Sequence, residues 1–279
     1  MSELEKVKKD LLEANQLLEA KVKKLEELNN ELSMTNSELK MLDKIKDEFV
    51  NIASHELRGP LHPILGYVAM AKSGKVDPMI ALDVIYVQAL KLKQVAYNIL
   101  DASKIESQTL AYDLRPIRIH EILLNSMVAA AGTVDRSKVS LIANIDKKYE
   151  DLEIVADKAR IEQVFTNVLG NAVKFTKHGS ITVETHVNKD SNSIEIQVID
   201  TGPGIPDKIL PRLFEKFETL STYNENVNGL GLGLFISKAI VVAHSGEIKA
   251  TNNNEKGATI KIKLPLDLQV RDGKKGFLH

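Results

Sequence analysis

Leucine occupies every seventh position from residue 4 to residue 39: Leu4, Leu11, Leu18, Leu25, Leu32 and Leu39. Residues 1–44 contain neither Gly nor Pro and are dominated by Glu, Lys, Leu and Asn, so a continuous helix places these leucines along one line. A strict seven-residue period keeps that line facing a neighbour only if the helices supercoil to the left, which predicts a parallel coiled-coil dimer. The second core row is poorer. With leucine at a, the d row holds Val7, Ala14, Lys21, Leu28, Thr35 and Leu42; with leucine at d, the a row holds Lys8, Asn15, Val22, Asn29 and Asn36. Either choice includes polar residues that cost stability while fixing register and strand number.

The helical pattern continues past residue 44, but its apolar phase slips. The leucine row extends to Lys46, whereas the apolar residues are Ile45, Phe49 and Ile52. Such a slip is absorbed by local unwinding or overwinding of a coil. Beyond it, Val50, Ala53, Leu57, Leu61, Ile64 and Val68 fall on one stripe at about 100° per residue. A loop at Lys72–Pro78 precedes a second periodic segment through Ile85, Leu92, Val95, Ile99 and Ala102, which ends near Glu106. Two antiparallel helices of this length expose too much apolar surface alone, so pairing across a two-fold axis into a four-helix bundle is expected.

Within the first of these helices His55 projects away from the apolar stripe, next to Glu56. Neutral imidazole is a competent nucleophile, and an ordinary pKa of about 6.5 keeps much of it neutral near pH 7. The adjacent carboxylate can hold one tautomer and take up the positive charge formed on attack. The run Phe49-Val50-Asn51-Ile52-Ala53-Ser54-His55-Glu56-Leu57-Arg58-Gly59-Pro60-Leu61 resembles the phosphoacceptor box of bacterial-type sensor histidine kinases. The resemblance implies that His55 accepts the γ-phosphoryl group of ATP, with Glu56 as its acid/base partner. Residues Asn98–Ser107 likewise resemble the end of that family's dimerisation domain. One position departs from the pattern: Gly59 stands where the family carries Thr or Asn.

After Asp113-Leu114-Arg115-Pro116 the heptad texture gives way to alternating strands and helices. Strands are expected at Val139–Ile145, Leu152–Ala156, Ile181–Val187, Ile194–Asp200, Glu247–Thr251 and Ala258–Leu264. Helices are expected at His120–Thr133, Lys158–Thr176 and Leu232–His244. Strands paired as meanders, with helices on one face, make an α+β two-layer sandwich. In the helix after Asp157, Ile161, Phe165, Val168 and Ala172 define an apolar face, while Asn167, Asn171 and Lys174 stack on a narrow polar one. Asn is a poor helix former, and an amide oxygen is a hard ligand suited to Mg²⁺, with a lysine one turn on able to reach a phosphate. Two glycine clusters follow, Asp200-Thr201-Gly202-Pro203-Gly204-Ile205 and Asn228-Gly229-Leu230-Gly231-Leu232-Gly233-Leu234. The second opens a helix, whose N-terminus favours phosphate oxygens. Its G-x-G-x-G spacing, with no strand directly before it, matches neither the Rossmann nor the Walker A signature.

These segments resemble the N box, first glycine box and second glycine box of the histidine kinases and related ATPases, with Leu213–Glu218 resembling the F box and Leu220–Val227 the lid. The resemblance implies that Asp200 accepts from the adenine amine, with Gly202 and Gly204 giving close approach and Ile205 and Phe175 lining the base pocket. Asn171, with help from Asn167, is expected to hold Mg²⁺, and Lys174 with Gly229, Leu230, Gly231, Leu232 and Gly233 to bind phosphates. The order of the boxes over residues 44–265 carries more weight than any one of them.

The expectation for the whole is therefore an N-terminal coiled coil (1–43), a dimerisation and histidine phosphotransfer domain (44–112), a catalytic ATP-binding domain (113–268) and a tail (269–279). The implied activity is ATP-dependent autophosphorylation of His55 followed by transfer to an aspartate of a response regulator receiver domain, in a homodimer driven by an upstream sensor domain or sensor protein. The resemblance also implies that the residue at position 59 orients the water that attacks a regulator's phospho-aspartate; Gly59 has no hydroxyl or amide to do so, and weak phosphatase activity is expected. The rival readings are an ATP hydrolase or clamp on the same fold, and a dimeric scaffold without catalysis. A carboxylate expected of the hydrolase is replaced by Asn167, and an intact Asn171, Asp200 and glycine set argues against the scaffold.

Composition narrows the remaining classes. A formal net charge of -1 and 5% aromatic residues without Trp give no basis for binding nucleic acid. The absence of Cys excludes disulfides, thiolate metal sites and a cysteine nucleophile. The other histidines, His62, His120, His178, His186, His244 and His279, show no ligand spacing and read as surface or packing residues. No apolar run reaches the roughly 18 residues of a membrane span, so this chain is expected to be cytoplasmic, although a longer parent could be membrane-anchored.

Overall fold

The structure, a computed structural model, describes residues 3–188, 190–218 and 230–266. The chain divides into two compact units, Met1–His55 and Glu56–His279. Helix α1 spans Glu3–Lys72 and is helical through the expected heptad region and through Pro60 and Pro63. In the first unit the heptad leucines Leu11, Leu18, Leu25, Leu32 and Leu39 are all exposed in the single chain. A row of exposed leucines in phase leaves apolar surface that only another chain or helix can cover.

In the second unit α1 ends on a tight turn in which Gly74 takes a left-handed φ of 67° and Lys75 N–H donates to Met70 O at 2.9 Å. Helix α2, Pro78–Glu106, then begins with Asp77 as N-cap, its carboxylate accepting from Met79 N–H at 2.7 Å, and with Pro78 where no donor is needed. Ala81, Asp101 and Ala102 are buried, while Leu82, Leu90 and Leu100 remain exposed.

The rest is a sheet covered on one side. The strands are β1 Arg115–Arg118, β2 Val139–Asn144, β3 Glu153–Ala156, β4 Gly179–Asn188, β5 Ser193–Asp200, β6 Glu247–Asn252 and β7 Ala258–Pro265. The helices are α3 Ile119–Ala131, α4 Lys158–Phe175 and α5 Gly233–Ala243. Strand order in the main sheet is β2-β4-β5-β7-β6, with α4 packed against both α3 and α5. Alternation sets the inner face: Ile181 and Val183 on β4, Ile194, Ile196 and Val198 on β5, and Ile262 and Leu264 on β7 are buried. Against them lie Phe165, Val168 and Leu169 of α4 and Ile236 and Ile240 of α5, also buried. Each such side chain contributes roughly 1.5–3 kcal/mol on burial, so this layer holds the domain together.

Every expected strand and helix of the second half is present, with ends shifted by a residue or two. Two details differ. The sheet is mixed rather than a pure meander, because β2 pairs parallel with β4, and the chain between them runs through β3 and the crossover helix α4. The expected strand Leu152–Ala156 belongs to a separate ribbon, pairing antiparallel with β1. Strand β1, which carries Pro116, was not anticipated, since proline argues against a strand except at an edge.

Candidate nucleotide site

Asp157 fixes where α4 starts and what surrounds it. One carboxylate oxygen caps the helix by accepting from Arg160 N–H at 3.1 Å, and the other accepts from Asp113 N–H at 3.0 Å in the segment leaving α2. Its own N–H donates to His244 Nε2 at 3.0 Å, while His244 Nδ1 lies 2.8 Å from Ile240 O. An imidazole that accepts at Nε2 carries its proton on Nδ1, so His244 is held as one neutral tautomer. Burial pushes its pKa below the ordinary histidine value, against the opposing pull of Ile240 O and Asp157. It is a packing residue, as expected.

From that start α4 buries Ile161, Phe165, Val168 and Ala172 and leaves Asn167, Asn171 and Lys174 half-buried along the rim of a cavity of about 300 Å³. Such a volume, with an apolar floor and a few polar groups, is that of a small-ligand pocket. Val198, Ala258 and Ile260 form apolar lining, and Asp200 stands at the end of β5 beside them. Asp200 Oδ1 accepts from Gly202 N–H at 2.8 Å and from Ala258 N–H at 3.3 Å, leaving Oδ2 as the oxygen suited to a ligand donor. Burial nevertheless raises its pKa above the ordinary carboxylate value, more than these two bonds lower it.

Another wall of the cavity is built by the second glycine cluster. Leu230, Gly231, Leu232 and Gly233 line the cavity, and α5 starts at Gly233 with no side-chain cap on its free N–H groups. Gly231 has φ 64°, and a Cβ there would lie 2.6 Å from Glu218 O and from the carbonyl carbon of Phe217. Glycine is therefore required where the F-box segment crosses, and Phe217 N–H closes the crossing by donating to Gly231 O at 3.2 Å. Asn167 ties the two helices, its amide NH₂ donating to Gly233 O at 3.2 Å and Ser237 Oγ at 3.4 Å. Burial lowers the Lys174 pKa, with the nearby Glu56 carboxylate opposing that shift and Lys177 adding to it.

Of the residues expected from sequence, Glu56, Asn167, Asn171, Lys174, Phe175 and Asp200 line this one cavity, joined by Gly204, Ile205 and the glycine-cluster residues Leu230 to Gly233. Gly202 is buried just behind it, on Asp200. Gly229, the lid at Leu220–Val227 and the tail lie outside the described residues. His55 belongs to the other compact unit and is exposed there. Sequence reasoning missed Val95 and Asn98 of α2 and Ile209 and Leu213, which also line the cavity. The last pair lies in the irregular stretch between glycine clusters, where no periodicity marks an inward residue.

A cavity that combines a carboxylate at a strand end, paired asparagines on one helix and a glycine-rich turn opening the next helix is suited to holding a nucleotide. Comparison with known proteins agrees. Residues 156–268 match the family described as histidine kinase-, DNA gyrase B- and HSP90-like ATPase, and residues 45–108 match the His Kinase A (phospho-acceptor) domain. The chain is 29% identical over 270 residues to the signal transduction histidine-protein kinase BarA of Escherichia coli, covering 95% of this chain and 29% of BarA. It is 31% identical over 246 residues to the sensor histidine kinase GacS of Pseudomonas protegens, covering 85% of this chain and 26% of GacS. The solved structure of histidine kinase ThkA in complex with response regulator protein TrrA shares the fold, with a TM-score of 0.56 and 22% identity over 80% of this chain and 63% of that one. The two matched domains together take in more than half of the chain, and it belongs to the sensor histidine kinases. It spans under a third of the length of these curated relatives.

Proposed function

We propose that this chain is the catalytic core of a protein-histidine kinase, which transfers the γ-phosphoryl group of ATP to His55 and then to an aspartate of a response regulator receiver domain. The observation that carries this reading is the single cavity in which Asn171, Lys174, Asp200, the second glycine cluster and Glu56 converge. In the first step an imidazole nitrogen of His55 forms a bond to the γ-phosphorus while the bond to the bridging oxygen breaks and ADP leaves. Glu56, next to His55 in sequence, orients the ring and takes up the developing positive charge. Lys174 and the free N–H groups at the start of α5 neutralise charge on the phosphates, while Asp200 accepts from the adenine amine above a floor of Val198 and Ile260. The phosphohistidine is a high-energy donor, suited to onward transfer.

The donor set also fits Mg²⁺. Asn171 and Asn167 bring amide oxygens to the cavity, Glu56 and Glu218 bring carboxylates, and among the described residues no cluster of three or more His, Cys, Asp or Glu forms an all-protein cage. Mg²⁺ is characteristically held by one or two side chains plus phosphates and water; when bound it would neutralise phosphate charge, with Asn171 its chief protein ligand. We assign domains at 1–43, 44–112, 113–268 and 269–279. Exposed Leu61, Leu65 and Val68 on α1 and Leu82 and Leu90 on α2 support pairing of two copies, and the exposed heptad leucines support a parallel coiled coil. An upstream sensor domain or sensor protein would act through that segment. Among the described residues no helix is long and apolar enough to cross a membrane.

The roles separate by substitution. His55→Gln should abolish phosphorylation while ATP binds as in the parent, because the cavity is built by other residues. Asn171→Ala should remove Mg-dependent nucleotide binding and leave the oligomeric state unchanged. Equal nucleotide affinity for Asn171→Ala and parent would refute the metal assignment.

A further inference from the structure

The first glycine cluster, Asp200–Ile205, has no helix or strand of its own beyond the end of β5, yet it must present Asp200 and Ile205 to the same base. Its two ends are held by consecutive asparagines at the end of β6 that do not line the cavity themselves. Asn252 makes a two-point contact with the backbone of Ile205: its Nδ2 donates to Ile205 O at 2.7 Å, and Ile205 N–H donates to its Oδ1 at 2.7 Å. The contact copies one rung of a β-ladder with a side chain. Asn253 holds the other end, Nδ2 donating to Asp200 O at 3.0 Å while Oδ1 accepts from Thr259 Oγ1 at 2.6 Å. Gly204 sits between them with φ 79°, and a Cβ there would lie 3.0 Å from Asn252 Oδ1. The amide therefore also fills the space against which the turn is folded.

From this we propose that Asn252, with Asn253 beside it, is a positioning residue for nucleotide binding. Its amide clamps Ile205 so that the wall of the base pocket and the Asp200 carboxylate stand at a fixed separation. The inference rests on the reading of Asp200 as the group that receives the adenine amine. An aspartate at 252 would keep the acceptor for Ile205 N–H but set an oxygen against Ile205 O. A serine offers one of the two contacts.

The test uses the full chain and measures ATP affinity by displacement of a fluorescent ATP analogue, together with kcat and KM for autophosphorylation and the melting temperature without nucleotide. Asn252→Ala should weaken ATP binding and raise KM about tenfold, with kcat at saturating ATP within about twofold of the parent; Asn252→Asp should do the same, and Asn252→Ser should recover part of the loss. Asp200→Asn serves as the control on the underlying reading. If Asp200→Asn loses ATP affinity while Asn252→Ala and Asn252→Asp stay within about twofold of the parent, the clamp is refuted and the base-pocket reading stands. If Asp200→Asn itself binds ATP normally, the base-pocket reading fails, and the clamp with it. A fall in kcat at unchanged KM, or a loss in Asn252→Ala that Asn252→Ser does not reduce, also overturns the proposal.

Discussion

Asp101 on α2 is the one buried carboxylate among the described residues that neither caps a helix nor faces the nucleotide cavity. Its side chain is 8% exposed, and the same oxygen accepts from Arg160 Nη1 at 2.7 Å and Gln163 Nε2 at 2.8 Å, both on α4. Truncation to alanine removes two bonds to a charged acceptor, each contributing roughly 1.5–3 kcal/mol. The loss is offset because Arg160 retains Gln163 Oε1 at 2.9 Å and, with its side chain 23% exposed, can be hydrated. We therefore expect Asp101→Ala to lower the stability of the second unit by about 3 kcal/mol, and Asp101→Asn, which keeps the shape and an acceptor, by about half that. Urea unfolding of the parent, both variants, Arg160→Ala and the double variant supplies the values and the coupling energy. A cost below about 1 kcal/mol, or strict additivity of Asp101→Ala with Arg160→Ala, would refute the reasoning.

Three further outcomes follow from the same structure. Because burial holds His244 below its ordinary pKa, the unfolded chain takes up a proton that the folded chain refuses as pH falls through about 6.5; stability should fall from pH 7.5 to 5.5 in the parent and less steeply in His244→Gln, as read by melting temperature. Burial raises the Asp200 pKa, so its ionised form costs stability that grows as pH rises through that raised value; Asp200→Asn should melt higher than the parent without nucleotide at neutral pH while losing ATP affinity. Gly59 is exposed and a Cβ there meets nothing within 4 Å, so Gly59→Thr should fold normally. It should speed decay of the phosphorylated regulator in the presence of ADP and largely preserve autophosphorylation, and rapid decay with the parent, unchanged by the substitution, would discard the weak-phosphatase expectation.

What could be read directly from the residues was whatever is periodic or local. The leucine heptads, the alternation along β4, β5 and β7, and the Asn167–Asn171–Lys174 face each repeat with the geometry of one element, so the chain states them without its partners. The glycine clusters were legible for a related reason: backbone that must approach a ligand or cross another segment, as Gly231 crosses Phe217 and Glu218, excludes side chains. Contacts between distant segments were not legible. Asp101 and Arg160 are 59 positions apart, and neither carries a local sign of its partner. Asn252 and Asn253 likewise carry no local sign of the partners they hold, Ile205 and Asp200, 47 and 53 positions away. Strand β1 was hidden because Pro116 argues against a strand, and only its pairing with β3 makes one.

In the proposed function ATP phosphorylates His55. The full chain incubated with γ-labelled ATP and Mg²⁺ should acquire label that is lost in acid and kept in base, the signature of a phosphoramidate. His55→Gln should acquire none, while binding ATP with the affinity of the parent. Label of the same stability persisting in His55→Gln, or label in the parent that survives acid, would contradict the account.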